Sequence, residues 1–310
     1  MTSSVILTLG ARGSPLAFAQ ANEARRRLGE ARGWDIEQIA LKVIRTSGDA
    51  IQDRPLADAG GKGLFTKEID AALVAGVIDA AVHSAKDLPS LLPDGVIIGA
   101  YLPREDVRDA LISALADTIE GLPREATFGA ASLRRQAQVL RLRPDLKPAL
   151  LRGNVETRLV KAESGVVGAT LVALAGLKRL GLAHRARAVL DIDKFLPAPG
   201  QGAIAITARG GDTRMLEALN AISDRETSAA LTAERAFLAE LEGSCRTPIA
   251  GLARLEGGRL RLVGEVLRPD GSERFDVAGE GAPADAERLG RDAGRELAAR
   301  LPEGLLVKGG

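Results

Sequence analysis

The chain has 310 residues, of which 45% are hydrophobic, 3% aromatic and 27% charged, and its formal net charge is +1. This composition predicts a globular protein of two or three domains with aliphatic cores. The balanced charge argues against a general affinity for nucleic acids or membranes, so an anion site would need locally clustered cations. The sequence shows neither the pattern of a signal peptide nor a run of membrane-spanning length, and we expect a cytoplasmic protein.

Predicted strands and helices alternate along the first hundred residues. Ser14 is a good N-cap for a helix over residues 15–32. Hydrophobic residues recur at helical spacing from Phe65 onward, and Gly76 would end that helix. The glycine-rich stretch 46–63 is expected to form a mobile loop or lid. The predicted strands cover residues 5–9, 36–44, 78–82 and 95–101. This alternation is typical of a largely parallel sheet.

A second unit repeats this pattern. Its helices are predicted to start after Ser132 and Asn154. Proline and glycine residues at 102–104 and 196–202 would carry the chain twice between the two units, which suits a hinged cleft. The predicted strands cover residues 109–113, 126–130, 147–151 and 168–173.

From about residue 221 the pattern changes again. An amphipathic helix over 224–241 precedes predicted strands at 248–255, 259–267 and 273–278, and a last helix covers 283–301. We therefore predict three domains. Domain 1 is α/β and comprises residues 1–102 and 200–220, domain 2 is α/β and comprises 103–199, and a C-terminal α+β domain comprises 221–310.

Cationic and hydroxyl side chains recur where predicted strands end or helices begin. In parallel sheets these ends face the ligand crevice, and helix N-termini supply N–H donors for anions. Guanidinium groups bind carboxylates through paired, charge-assisted hydrogen bonds. The pattern predicts a cleft for a ligand with many carboxylates or phosphates, although a solvated surface is the alternative for each cation taken singly. The residues are Arg12, Ser14, Lys62, Ser84, Lys86, Ser132, Arg134, Arg135, Arg152, Arg158 and Arg179.

Asp87 is a carboxylate close behind two potential anion binders, Ser84 and Lys86. It would handle protons or stabilise a cation, or it would form a salt bridge or cap a helix. The two histidines, His83 and His184, are too few and too far apart to indicate a metal site, and we interpret both as structural.

Cys245 is the only cysteine and lies between Ser244 and Pro248 in a turn-forming stretch. It cannot form an internal disulfide, and the adjacent Arg246 would favour its thiolate. A buried, unreactive thiol is the alternative. The local context favours a reactive or modified thiol.

Seven segments together resemble the porphobilinogen deaminase, or hydroxymethylbilane synthase, family. The segments occur in the same order as in the family and cover nearly the whole chain. The resemblance is specific because all seven occur together. The segments are 60–65 (GGKGLF), 83–87 (HSAKD), 132–136 (SLRRQ), 151–155 (LRGNV), 175–180 (AGLKRL), 199–202 (PGQG) and 242–245 (EGSC).

The resemblance implies two periplasmic-binding-protein-like α/β domains around a cleft, with a small C-terminal α+β domain that has a three-stranded antiparallel sheet. It also implies a transferase of porphyrin, tetrapyrrole and heme biosynthesis. Such an enzyme condenses four porphobilinogen molecules head to tail, with loss of ammonia, and releases hydroxymethylbilane. The primer is a dipyrromethane cofactor, here bound covalently through Cys245. Each pyrrole ring carries an acetate and a propionate, which matches the predicted cations.

The resemblance also assigns roles to residues. Asp87 is the catalytic carboxylate, which stabilises the cation left when ammonia departs and moves protons. Phe65 packs against pyrrole rings, although its spacing fits a core position equally well. The residues assigned to the cofactor are Cys245, Ser84, Lys86, Asp87, Ser132, Arg134, Arg135 and Arg158. The residues assigned to the substrate are Arg12, Ser14, Lys62, Phe65, Arg152, Arg179 and Gln201.

Two other classes remain open. A two-domain binding protein could use the same cationic cleft to clamp a small acid. A group-transfer enzyme could use Cys245 as its nucleophile, and it would usually need a nearby histidine as base. No metal is predicted, and we expect a monomer that acts on a small molecule. The chain lacks donors that family members often carry at Thr8, Ala11, Asp58, Ala130 and Ala131.

Overall fold

The computed structural model describes residues 4–50, 63–241 and 247–306. The described residues divide into two compact units: unit 1 combines 4–50, 63–105 and 203–228, and unit 2 combines 106–202, 229–241 and 247–306. The division into three domains stays a prediction. Lys62, Asp58 and Cys245 lie outside the described residues, as does most of the predicted loop over 46–63.

The described residues form strands and helices in alternation. The strands are β1 (Leu7–Ala11), β2 (Ile39–Val43), β3 (Ala80–Ser84), β4 (Val96–Tyr101), β5 (Asp109–Ser113), β6 (Thr127–Gly129), β7 (Lys147–Ala149), β8 (Ala169–Ala173), β9 (Ala188–Val189), β10 (Ile204–Arg209), β11 (Ile249–Glu256), β12 (Arg259–Leu267) and β13 (Arg274–Gly281). The helices are α1 (Pro15–Arg32), α2 (Ser47–Ala50), α3 (Lys67–Val74), α4 (Leu133–Leu142), α5 (Val155–Glu163), α6 (Leu174–Arg179), α7 (Thr213–Asn220), α8 (Arg225–Glu240) and α9 (Ala286–Arg300).

Unit 1 contains one five-stranded sheet with the order β2-β1-β3-β10-β4. Strand β1 is parallel to both β2 and β3, whereas β10 is antiparallel to β3 and β4. Helix α1 begins after Ser14, whose Oγ accepts a hydrogen bond from the Ala17 N–H at 3.2 Å, and it ends at Gly33 with φ of 65°. Aliphatic residues of the sheet, α1 and α7 form the core of this unit.

Unit 2 contains a second five-stranded sheet with the order β7-β6-β8-β5-β9. Strand β6 is parallel to β7 and β8, whereas β5 is antiparallel to β8 and β9. The same unit holds a three-stranded antiparallel sheet, β11-β12-β13, against which α9 packs. The predicted α/β fold class with a C-terminal antiparallel sheet is therefore confirmed.

The prediction of largely parallel sheets is confirmed, because in each five-stranded sheet four strands run the same way and one, β10 or β5, runs against its neighbours. Some predicted details were wrong. Strand β10 and helix α7 were missed, since residues 200–220 were assigned to domain 1 without a predicted strand or helix. Phe65 precedes α3 instead of belonging to it, because the chain turns over residues 63–66 first. In the part of the chain that the structure describes, no helix is long and apolar enough to span a membrane.

Candidate functional site

Unit 1 places a cation beside a carboxylate where two neighbouring parallel strands end. Arg12 follows β1, and Asp87 follows β3. Nη1 of Arg12 lies 3.4 Å from Oδ2 of Asp87, and the side chains are 21% and 32% exposed. The guanidinium carbon of Arg12 lies 4.1 Å from the centre of the Phe65 ring, a cation–π contact. The salt-bridge alternative for Asp87 is thus present, and the pair remains accessible to a ligand.

The hydroxyl group of Ser84, at the end of β3, forms hydrogen bonds with Gln20, a residue that was not predicted from the sequence. Gln20 of α1 is 3% exposed. Its Nε2 donates to Ser84 Oγ at 2.9 Å, and Ser84 Oγ lies 3.1 Å from Gln20 Oε1. An amide on the buried, alanine-rich face of α1 was the signal that could have revealed this contact. Lys86 is exposed on the short turn Ala85–Asp87.

His83 is buried beneath this edge. Its Nε2 lies 3.2 Å from Thr207 Oγ1 of β10. Burial lowers the pKa of His83 to about 4, and the positive charge of Arg12 contributes to the same shift. The imidazole is therefore neutral near pH 7, which fits the structural role predicted for it.

Unit 2 gathers two arginines around one buried carboxylate. Arg134 and Arg135 lie in the first turn of α4, whose N-cap is Ser132. Asp109 begins β5 and pairs with Ala173 at the end of β8, so it lies at the edge where the parallel strands end. Nη2 of each arginine is 2.8 Å from an Asp109 carboxylate oxygen. Burial lowers the pKa of Arg134, and Asp109 opposes that shift.

Burial also decides between two interpretations of these cations. Arg134, Arg135 and Arg152 are 5%, 6% and 8% exposed. The solvated-surface alternative is therefore wrong for all three. A buried guanidinium needs a compensating partner, and Arg134 and Arg135 find it in Asp109.

Gln201 lies inside the Asp109 cluster. It is 0% exposed, and its Nε2 donates to Asp109 Oδ1 at 2.9 Å and to the Val107 carbonyl at 2.8 Å. Asp109 itself was not among the predicted site residues. Its signal was an acidic residue at the first position of an otherwise largely apolar strand.

The remaining predicted cations of unit 2 also follow its parallel strands. Arg152 follows β7. Arg158 in α5 donates through Nε to the Gly153 carbonyl at 2.9 Å. Arg179 ends α6, directly after β8, and donates through Nη2 to the Gly202 carbonyl at 3.0 Å. These three arginines therefore lie after the strands that the sequence predicted. Within the described chain, no group of acidic, histidine or cysteine residues could hold a metal ion.

The edge of each unit presents arginines and hydroxyl groups, and that of unit 1 also presents an accessible carboxylate; such cations are the groups that bind carboxylates and phosphates. Two family models match the chain: "Porphobilinogen deaminase, dipyromethane cofactor binding domain" over residues 7–217 and "Porphobilinogen deaminase, C-terminal domain" over residues 228–299. The chain belongs to the porphobilinogen deaminase family.

Curated relatives and a solved structure extend the comparison. A porphobilinogen deaminase of Nitrobacter hamburgensis is 58% identical over 301 residues, which cover 97% of this chain and 95% of the relative. A porphobilinogen deaminase of Paracoccus denitrificans is 53% identical over 296 residues, which cover 96% of this chain and 95% of the relative. A periplasmic substrate-binding protein from Coxiella burnetii is similar at 13% identity with a TM-score of 0.44, over 70% of this chain and 92% of that one.

Proposed function

We propose that the chain condenses four porphobilinogen molecules head to tail, with loss of ammonia, onto a dipyrromethane cofactor and releases hydroxymethylbilane. The observation that carries this proposal is the match of the cofactor-binding-domain model to residues 7–217. That segment holds all the proposed site residues except Cys245. The reaction is a transferase step of tetrapyrrole biosynthesis.

The side chains of unit 2 fit a dipyrromethane. Arg134 and Arg135 share the single Asp109 carboxylate, so the cluster carries excess positive charge. The buried Nε of Arg134 also has no hydrogen-bond acceptor among the described residues. A ligand with several carboxylates would balance that charge. The proposed cofactor-binding residues are Ser84, Lys86, Asp87, Ser132, Arg134, Arg135, Arg158 and, as the covalent attachment, Cys245.

Asp87 is proposed as the catalytic residue. When bound, the cofactor supplies the pyrrole carbon to which the first substrate is joined. Departure of ammonia leaves positive charge on the substrate pyrrole, and the Asp87 carboxylate stabilises it electrostatically and accepts hydrogen bonds from pyrrole N–H groups. Arg12, 3.4 Å from this carboxylate and in contact with Phe65, holds it in place.

The substrate is proposed to bind a second set of side chains. Arg12 and Ser14 belong to the edge of unit 1, and Arg152 and Arg179 belong to that of unit 2. Gln201 would act from within the Asp109 cluster, since it is completely buried. The full proposed set is Arg12, Ser14, Lys62, Phe65, Arg152, Arg179 and Gln201. We further propose a cytoplasmic monomer with the three predicted domains.

A turnover assay tests this function. The purified protein, incubated with porphobilinogen, should release four ammonia molecules for each hydroxymethylbilane formed. Binding of porphobilinogen without its consumption would contradict the proposal and support the small-acid-binding alternative.

A further inference from the structure

Helix α4 carries the arginine pair, and a buried amide on the same helix contacts it. Gln138 is 3% exposed and lies one turn after Arg134. Its Oε1 accepts a hydrogen bond from Arg134 Nη1 at 2.9 Å. Its Nε2 donates to the Leu196 carbonyl at 2.9 Å and to Glu265 Oε1 of β12 at 2.7 Å.

The chemistry of these partners specifies one orientation of the amide. Oε1 of Glu265 and the Leu196 carbonyl oxygen both accept hydrogen bonds from Gln138, so these partners select the NH₂ end of the amide. A guanidinium only donates, so Arg134 selects the oxygen end. Glu265 and Leu196 accept from Nε2 and thereby keep Oε1 of Gln138 directed at Arg134. Without Glu265, one of these two acceptors would be lost.

The C-terminal sheet touches α4 at a second place. Gly271, in the turn after β12, has φ of 76°, and a Cβ there would lie 2.5 Å from the Arg141 nitrogen and 2.6 Å from the Ala137 oxygen. The turn therefore packs directly on the helix backbone. Glu265 is 6% exposed, and Arg274 Nη1 lies 3.8 Å from its other carboxylate oxygen.

We propose that Glu265 is a positioning residue for the cofactor site: through Gln138 it holds the Arg134 guanidinium in the orientation in which Arg134 and Arg135 share Asp109. The inference rests on the proposed function, because it concerns how the proposed cofactor ligands are held. The sheet that follows the Cys245 segment thus also fixes the arginines that bind the cofactor carboxylates.

Variants at Glu265 separate positioning from simple stability. In Glu265→Leu the acceptor is lost, whereas in Glu265→Gln a side-chain carbonyl can still accept from Gln138. The matched control is Glu280→Gln on β13, an exposed carboxylate paired with Arg259. For each protein the cofactor-loaded fraction is measured by intact mass, kcat and KM for porphobilinogen are measured on the loaded enzyme, and the melting temperature is recorded.

For Glu265→Leu we expect kcat/KM, or the loaded fraction, to fall about tenfold, the effect of losing one hydrogen bond that orients a charged group. Its melting temperature should also fall, because Gln138 and Arg274 lose a buried partner, so the deciding measurements are the kinetics of the loaded enzyme and their recovery in Glu265→Gln. Glu265→Gln should recover most of the loss, and Glu280→Gln should match the wild type. Equal loading and kinetics in Glu265→Leu, or no recovery in Glu265→Gln, would overturn the proposal.

A second variant tests the same connection by another route. Gln138→Leu should show the kinetic defect of Glu265→Leu, and the double variant should be no worse than Gln138→Leu alone, since both changes interrupt one chain of hydrogen bonds. Additive losses would overturn the proposal. Failure of the proposed function is a distinct result, because then the wild-type protein itself would neither carry dipyrromethane nor consume porphobilinogen.

Discussion

Replacement of Asp109 by Asn should destabilise the protein strongly. The Asp109 side chain is 0% exposed and lies 2.8 Å from both Arg134 and Arg135. Removing one partner of a buried ion pair typically costs about 3–5 kcal/mol, because the other charge stays buried without compensation. Asn has nearly the same volume as Asp, so the loss of stability would come from the missing charge and not from a cavity.

The measurement is the free energy of unfolding in urea, determined in a Cys245→Ser background so that bound cofactor does not add to stability. The control is Glu30→Gln, which removes an exposed pair with Arg26 whose side chains are 62% and 52% exposed. An exposed pair of this kind contributes less than about 1 kcal/mol. We expect Asp109→Asn to lose several times more stability than this control.

A loss below about 1 kcal/mol in Asp109→Asn would refute the reasoning. It would mean that other groups balance the two guanidiniums and that Asp109 does not anchor them. The same variant should also carry less cofactor when expressed with Cys245 intact, because the arginines lose the anion that orients them.

Three further predictions follow from single side chains. Asp87→Asn should lower the turnover of the cofactor-loaded enzyme by about 10²- to 10⁴-fold, and near-normal turnover would leave Asp87 a salt-bridge residue. The unfolded chain takes up a proton at His83 as pH falls through 6.5, whereas the folded chain does so only near pH 4. Wild-type stability should therefore drop by about 2 kcal/mol more between pH 7 and pH 5 than that of His83→Gln, and equal drops would contradict this assignment. Gly271→Ala should lose at least about 1 kcal/mol more in urea unfolding than Gly257→Ala, because both have positive φ but only Gly271 packs against backbone, and equal losses would contradict the docking on α4.

Features controlled by local chemistry could be predicted from the sequence. Ser132 and Asn154 were predicted as caps, and helices α4 and α5 begin directly after them, with each side chain accepting a backbone N–H. Such caps depend on residues within one turn. Likewise, the cations near strand ends were found because strand polarity in a parallel sheet places them at one edge.

Features that depend on distant strands could not be predicted. Asp109 meets Arg134 only because β5 runs antiparallel beside β8, and nothing in the residues of β5 encodes that direction. Glu265 contacts Gln138 across 127 positions of sequence. Strand β10 was not predicted, although residues 200–220 were assigned to domain 1, and its place between β3 and β4 depends on pairing with strands that lie about 100 positions earlier. These contacts are set by tertiary pairing and not by local pattern.

Intact-mass spectrometry of the protein purified from cells that make porphobilinogen shows directly whether Cys245 carries the cofactor. We predict a mass that exceeds the sequence mass by two pyrrole units, an excess that disappears in Cys245→Ser. Addition of porphobilinogen should then give species that are heavier by successive single pyrrole units. A wild-type protein at its bare sequence mass, or an excess that persists in Cys245→Ser, would contradict the account.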